Sequence, residues 1–217
     1  MINFDYHTLF TPKMKIIFSV LLLTSFNLLA QTKSNVKDYF FPSPDKNIAR
    51  FYSPSKTGER TSSTRTIYYV RKNSTYNTVD AHFFNGKSIN IITLTYQFSI
   101  SEVKIVTSFV YEAKNKVTHN PPITILKMPA NGKTTSWTYT DIAGDFVKCN
   151  ANLTTINYNG EERKAIRVEK TYTDSSAIII DYYVYGVGFW KEECKTDNET
   201  LNFDILDELI FDKQVEI

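Results

Sequence analysis

The sequence predicts a mainly β, single-domain protein built on a curved antiparallel meander sheet, a half-barrel or open barrel with little helix. Runs of β-branched and aromatic residues with alternating polarity recur from residue 64 onward. Asn-Gly pairs, which favour tight hairpin turns, stand at 85–86, 131–132 and 159–160. All seven prolines lie at or before Pro129, which leaves the longest series of strands uninterrupted. We expect roughly eight to ten strands, and a sheet of that size must curl to shelter its edges.

Residues 1–30 have the pattern of a secretory signal peptide rather than of a folded element. Two lysines flank Met14, a mostly apolar run follows at 16–29, and Ala30 supplies a small residue at its end. This pattern predicts export to the periplasm or the extracellular space, and it leaves open a translation start at Met1 or at Met14. The apolar run is short for a membrane span and has no successor, so we expect no transmembrane span in the mature chain.

Residues 31–63 are predicted to form an N-terminal arm and loop ahead of the β domain at 64–217. The arm is polar, interrupted by three aromatic residues, and is expected to hold one short helical turn. A first short strand is predicted at 48–52, followed by a turn-rich loop. The formal net charge of the whole chain is only +2, so it lacks the basic footprint of a nucleic-acid-binding protein.

The alternation of apolar and polar residues places strands in the first half of the domain. In the strand at 88–99, one face carries four large apolar residues, which we assign to the core: Ile92, Leu94, Tyr96 and Phe98. Residues 113–122 are predicted to be a loop ended by two prolines. The other strands of this half are predicted at 64–72, 76–84, 103–112 and 123–129.

The second half of the domain is predicted to be a regular meander with strands at 135–140, 146–158 and 163–173. The long strand at 146–158 places four apolar residues on one face: Val147, Cys149, Ala151 and Leu153. The C-terminal segment is ambiguous. Residues from Leu201 alternate like a strand, and Asp204 is a candidate N-cap for a helical turn; we expect a strand first and then one turn.

The aromatic segment at 181–194 is predicted to be a central strand covered on both sides, because both of its faces are largely apolar. Gly186 and Gly188 are expected to let this strand bend. Tyr183, Tyr185 and Phe189 share one face and form the candidate ligand surface, since an uncovered aromatic face suits a sugar, a peptide or an acyl chain. The alternative is ordinary packing of both faces in a core.

The two cysteines of the chain, Cys149 and Cys194, are predicted to form a disulfide because an exported protein meets oxidising conditions. Closing a loop of this length would stabilise the protein by about 4 kcal/mol in the chain-entropy description. The alternative interpretation is a pair of buried thiols.

Three segments resemble uncharacterised secreted or periplasmic β-sheet proteins of Gram-negative bacteria. They are LKMPANGKTTSW at 126–137, NGEERKAIRVEK at 159–170 and DYYVYGVGFWKEE at 181–193. The resemblance covers roughly residues 120–195, and through it the chain is distantly similar to the lipoprotein-localisation carriers. It implies a curved antiparallel sheet that holds an apolar ligand or a lipid, and it carries over no catalytic residue.

Residues with catalytic or metal-binding chemistry are scarce and poorly spaced. His82 and His119 have no partner at metal or triad spacing, so we interpret both as structural. Asp141 and Asp145 flank a glycine turn whose spacing fits no calcium loop. The glutamate pairs, 161–162 and 192–193, are interpreted as solubility charges at strand ends. We therefore expect no enzyme, no cofactor and no metal.

Three functions remain open at this level. The first is a non-enzymatic exported β domain that binds an apolar ligand, a lipid or a lipoprotein in its curved sheet. The second is a structural or adhesion protein of the cell envelope that acts through its surface on an envelope partner. The third is a hydrolase, which would require Asp141, Asp145 and a glutamate to gather in one cleft. The oligomeric state does not follow from the sequence.

Overall fold

The computed structural model describes residues 35–41, 48–53, 63–72, 75–84, 87–130, 132–197 and 199–211. The predicted signal peptide at 1–30, with its choice of start codon, lies outside these residues, as do the Asn-Gly pair at 85–86 and residues 54–62 of the predicted turn-rich loop. No helix in the described part of the chain is long and apolar enough to cross a membrane.

Within the described residues, one short helix and twelve strands follow one another along the chain. The helix α1 spans Val36–Phe40, and the strands are β1 Ile48–Ser53, β2 Ser63–Lys72, β3 Thr75–Phe84, β4 Lys87–Phe98, β5 Glu102–Val110, β6 Asn115–Lys127, β7 Thr135–Thr140, β8 Phe146–Tyr158, β9 Glu161–Tyr172, β10 Ile178–Val184, β11 Gly188–Lys195 and β12 Thr200–Phe211. The predicted fold class, a mainly β protein with a curved antiparallel sheet, is confirmed. The predicted number of strands is too low.

All twelve strands belong to one antiparallel sheet with the order β6-β5-β4-β3-β2-β1-β12-β11-β10-β9-β8-β7. The first and last strands pair at the centre of the sheet, and the middle of the chain supplies both edges. In a flat sheet β6 and β7 would lie roughly 50 Å apart. Instead, the Trp137 indole N–H on β7 donates a hydrogen bond of 2.9 Å to the Thr124 carbonyl on β6. The sheet therefore curls until its edges meet, although no backbone ladder joins them among the described residues.

The curl gives the sheet an enclosed inner face that carries the main core. Alternation along β8 turns Val147, Cys149 and Ala151 inward, as the sequence predicts, and further large buried members on β5, β6, β7 and β9 join them. They are Val103, Ile105, Leu126, Trp137, Ile166 and Val168. A smaller cluster on the outer face joins Ala165, Val184 and Val187 to Trp190. The enclosed inner face is thus the place where a ligand could be buried.

Helix α1 packs against this inner face. Asn35 caps it, because its side chain accepts a hydrogen bond from the Lys37 N–H and the Asp38 carboxylate accepts one from the Asn35 N–H. Tyr39, Phe40 and Phe41 are buried in the main core. The short helical turn predicted for the arm is confirmed, and its aromatic residues fill the interior of the sheet.

The segment at 181–194, predicted to be a single bent strand, is in fact a hairpin of β10 and β11. Val184 pairs with Gly188, and the chain reverses through residues 185–187. Gly186 and Gly188 have φ of 72° and 90°, a left-handed backbone that glycine adopts readily. The two glycines therefore make the turn, where the sequence prediction assigned them to a bend.

Gly186→Ala is expected to lower the free energy of unfolding by about 1–2 kcal/mol, the cost of a left-handed backbone for a residue with a Cβ. An added Cβ has room, since its nearest neighbour is Arg163 Nη1 at 4.0 Å. The Gly186 N–H also donates to the Asp38 carbonyl at 3.0 Å, so the turn holds helix α1. Urea denaturation measures the loss, and an unchanged midpoint would contradict the strained turn.

Two further segments differ from the sequence prediction. The predicted loop at 113–122 belongs mostly to β6, which continues through Pro121 and Pro122. Proline is tolerated there because β6 is an edge strand and its pairing with β5 is irregular between Ile105 and Thr107. The helical turn predicted after Asp204 is wrong, since β12 stays extended to its end. The hairpin turn at 159–160 is confirmed, with positive φ at both of its residues.

Candidate ligand cavity

A cavity of about 590 Å³ lies against the inner face of the sheet. Its size falls within the range of small-molecule sites in proteins. Most of its wall is apolar, and β4, β5 and β6 supply a large share of it together with Phe40 of helix α1 and Phe189 of β11. The aliphatic lining residues on those three strands are Ile92, Leu94, Ile105, Val110, Ile123 and Ile125. The cavity can therefore accommodate an apolar body.

The structure separates the three residues of the candidate ligand surface. Tyr183 and Phe189 both line the cavity, with ring centroids 5.5 Å apart. Tyr185 is not a described lining residue: it lies in the turn between β10 and β11, is 46% exposed and packs edge-on against Tyr39 at 5.4 Å. The turn interrupts the alternation that placed all three residues on one face.

Helix α1 forms one wall of the cavity through a single aromatic ring. Phe40 lies edge-on to Tyr96 at 5.1 Å and stacks on Tyr183 at 5.9 Å, and all three residues line the cavity. Phe41 packs against Tyr76 and Phe98 and is not among the described lining residues. The two neighbouring phenylalanines thus differ in their access to the cavity.

A polar cluster of Lys170, Asp181, Glu192 and Tyr183 stands in the cavity wall. Lys170 Nζ lies 2.6 Å from Asp181 Oδ2 and 4.0 Å from Glu192 Oε2. The Tyr183 hydroxyl donates a hydrogen bond of 3.1 Å to the same Asp181 Oδ2. The Lys170 and Asp181 side chains are only 15% and 2% exposed, so the ion pair is largely removed from water. These residues come together because Asp181 pairs with Glu192 on β11 and lies beside β9.

The pKa of Lys170 is raised above its ordinary value. Burial, the largest influence, acts to lower the pKa, but the nearby Asp181 and Glu192 carboxylates outweigh it. Lys170 therefore stays charged over the physiological range. Burial also raises the pKa of Tyr139, another lining residue, so that its hydroxyl remains neutral.

Asp181 has one oxygen that is buried without a hydrogen-bond partner. Both donors converge on Oδ2, whereas Oδ1 has none in the described structure. A buried carboxylate oxygen left unsatisfied is costly, because it has given up hydration without replacement.

The sequence reasoning missed the polar cluster. It gave Asp181 no role, and it interpreted Glu192 as a strand-end solubility charge. Glu192 instead lines the cavity, while Glu193 faces the other way and accepts a hydrogen bond from Tyr182. A charged residue on an otherwise apolar strand face is the pattern that could have predicted the cluster. Asp181 has this pattern, and so does Lys170, which shares a strand face with Ile166 and Val168.

The predicted disulfide between Cys149 and Cys194 is wrong: both thiols are free and buried. The two residues lie in one row across four strands, in which Cys149 pairs with Lys170, Lys170 with Ile179, and Ile179 with Cys194. Three strand spacings separate them by roughly 14 Å along the sheet. A disulfide requires Cα atoms within about 7 Å.

Protein unfolded without reductant is expected to titrate as two thiols, and the folded protein is expected to react far more slowly. Cys149 should be the slower residue, since it is 1% exposed and burial raises its pKa to about 12. A chromogenic disulfide reagent, with and without denaturant, measures both quantities. Unfolded, unreduced protein without reactive thiols would contradict the register that separates the cysteines.

The other candidate chemical residues have structural partners. His119 Nε2 lies 3.0 Å from the Ser108 hydroxyl, and His82 Nε2 lies 3.4 Å from Asp80 Oδ1. Asp141 Oδ1 accepts a hydrogen bond from the Asp145 N–H at 2.9 Å, which closes the predicted turn. In the part of the chain that the structure describes, no group of three or more acidic, histidine or cysteine side chains could hold a metal ion.

Comparison of the chain with protein-family models, with curated proteins and with solved structures found no match. The resemblance to secreted carriers therefore stays an expectation, and the cavity is the main guide to function.

Proposed function

We propose that this protein is a non-enzymatic exported β domain that binds an apolar ligand in the cavity of its curved sheet. The observation that carries the proposal is the cavity of about 590 Å³, which lies against the inner face and helix α1 and is lined mainly by aliphatic and aromatic side chains. Burial of an apolar body in such a site is favourable at about 25 cal/mol per Å² of apolar surface. The predicted signal peptide supports a location of this binding in the periplasm or outside the cell.

Binding rather than catalysis is supported by the polar groups in the cavity wall. The described lining contains no histidine, serine or cysteine. Two of its buried charges, Lys170 and Asp181, lie 2.6 Å apart and neutralise one another. Such a wall can orient a ligand, but it supplies no activated nucleophile next to a base.

A dye-binding experiment tests the proposal. N-phenylnaphthylamine, a neutral apolar dye, should gain fluorescence with the protein and saturate at one dye per chain. Leu94→Trp, which fills the cavity, should weaken binding at least about tenfold. Ile100→Trp is the matched control, since Ile100 is exposed and outside the described lining. No saturable binding, or equal binding by both folded variants, would refute the proposal.

A surface role in the cell envelope is the second candidate. Six large apolar side chains are exposed among the described residues: Ile100, Tyr111, Val117, Ile142, Phe146 and Tyr185. Chemical crosslinking in intact envelopes tests this role. One recurrent crosslinked protein that disappears on Tyr185→Ser and Phe146→Ser would support it, and a chain that crosslinks to nothing would exclude it.

A further inference from the structure

The lining of the cavity includes both helix α1 and the loop between β7 and β8, residues 141–145. We propose that the cavity takes up a single-chain amphiphile tail first past this loop, and that the head group stays in water beside Ile142. The inference rests on the proposed function, because it states how an apolar ligand enters that cavity and which way round it lies.

Helix α1 and the β7–β8 loop lie at opposite ends of the curled sheet. Neighbouring strands are antiparallel, so successive turns along the chain alternate between the two ends. Two turns hold α1 by backbone hydrogen bonds. The Val36 N–H donates to the Ile100 carbonyl in the β4–β5 turn at 3.1 Å, and the Gly186 N–H in the β10–β11 turn donates to the Asp38 carbonyl at 3.0 Å. These turns share one end, and the β7–β8 loop is at the other.

The end of the cavity at α1 is covered by aromatic side chains. Phe40 is 5% exposed, and its neighbours Tyr39 and Phe41 are buried with it. Its ring lies 5.1 Å from that of Tyr96 and 5.9 Å from that of Tyr183, and all three rings line the cavity. These three rings form the floor of the cavity, where the end of an alkyl chain can rest out of water.

The opposite end of the cavity reaches solvent at the β7–β8 loop. Among the described lining residues, Ile142 and Ala143 alone are exposed, whereas the others are buried or half-buried. Ile142 is 37% exposed and still lines the cavity. Side chains that contact both the cavity and water mark the mouth of the cavity. Val110 and Tyr139, close to the ends of β5 and β7 on the same side, continue the lining inward.

A floor and a single mouth fix the direction in which an amphiphile can bind. Burial of each methylene group against the aliphatic wall is favourable, whereas a buried polar head group loses hydration that an apolar wall does not replace. The lowest free energy therefore places the end of the tail at Phe40 and the head group at Ile142. A chain with a bulky polar group at each end cannot satisfy both conditions.

Two probes with the same alkyl chain test the single mouth on the wild-type full chain. Dodecyl glucoside has one sugar, and the matched diglucoside has a second sugar at the far end of the same dodecyl chain. Both are used below the concentrations at which they aggregate and are measured by displacement of N-phenylnaphthylamine. Dodecyl glucoside should bind at least about tenfold more tightly, because the diglucoside must bury a sugar at the floor.

The outcomes separate this inference from the proposed function. If neither the dye nor any glucoside binds, the apolar cavity itself is refuted. If the dye binds but dodecyl glucoside does not displace it, or if both glucosides displace it equally, the cavity stands and the single mouth is overturned. Equal displacement would mean that a head group passes through a second opening, such as the seam between the edge strands β6 and β7.

A spin label then tests the direction of binding. Ile142→Cys carries a nitroxide at the mouth, and Ile100→Cys, at an exposed residue beside α1, is the matched control. The native thiols are buried, so the introduced cysteine should be labelled first in each variant. In proton spectra of bound dodecyl glucoside, the label at 142 should broaden the sugar signals more than the terminal methyl signal, and the label at 100 should do the reverse. Equal or inverted broadening would overturn the inference.

Discussion

Lys170→Met is expected to destabilise the protein by about 3–5 kcal/mol, the largest loss that we predict for a single charged residue. Removing the ammonium leaves Asp181, whose side chain is 2% exposed, as a buried charge without its cation. Glu192, 4.0 Å from Lys170 Nζ, loses the same neutralising charge. Urea denaturation followed by circular dichroism measures the loss.

Two control variants show whether the loss comes from an uncompensated charge. The double variant Lys170→Met/Asp181→Leu removes both charges and should recover much of the stability, since apolar replacements of buried pairs are often neutral. Arg163→Met breaks a more exposed pair with Glu161 on the same strand and should cost no more than about 1 kcal/mol. A Lys170→Met loss as small as that of Arg163→Met would refute the buried-pair account.

The pH dependence of stability provides a second readout of the same pair. The pKa of Lys170 is raised in the folded state, so its stabilisation is complete below the unfolded value of about 10.4 and disappears as pH rises through the folded pKa. Burial raises the pKa of the Cys149 thiol to about 12 in the folded state. This thiol therefore also lowers the stability of the fold as pH rises above the pKa of an unfolded thiol. Stability should therefore fall in alkali, and Lys170→Met should make that fall shallower.

Phe40→Ala is expected to destabilise the protein by about 3–5 kcal/mol, as is typical for removal of a buried phenylalanine ring. Its ring contacts Tyr96, Phe98 and Tyr183 and attaches helix α1 to the inner face. Because Phe40 also lines the cavity, its removal enlarges the ligand space. The variant should therefore accept longer alkyl chains than the wild type in a dye-displacement series.

Phe41→Ala is the matched control for this second effect. Phe41 is fully buried and packs on Tyr76 and Phe98, but it is outside the described cavity lining. Its loss of stability should be similar, with no change in preferred chain length. Equal chain-length profiles for the two variants would show that α1 does not shape the cavity.

The sequence predicts the sheet well because local patterns determine its strands and turns. The alternation at 88–99 correctly assigns Ile92, Leu94 and Tyr96 to the enclosed side, where they line the cavity. The Asn-Gly pair at 159–160 correctly marks a hairpin, since few other residue pairs tolerate positive φ at both positions. Each of these features depends on residues close together in the chain.

The sequence predictions are wrong where the structure depends on contacts between segments that are distant in the chain. The cysteine distance depends on the register of four strands, and no local pattern fixes that register. The sequence predicts a bend where the hairpin after Val184 lies, because apolar residues continue through the turn and do not mark the reversal of the chain at Gly186. The sequence marks Lys170 and Asp181 as charged residues on apolar strand faces, but it does not show that they meet, since they come from different strands and come together only through pairing.

Native mass spectrometry of the full chain, purified without detergent from its own envelope fraction, tests the central claim most directly. The spectrum is recorded before and after organic extraction, and again after incubation of the extracted protein with dodecanol. An apolar-ligand protein should carry a bound mass that extraction removes, or should take up one dodecanol per chain that Leu94→Trp excludes. An unchanged protein mass under all three conditions would contradict the claim that the curved sheet is built around a ligand cavity.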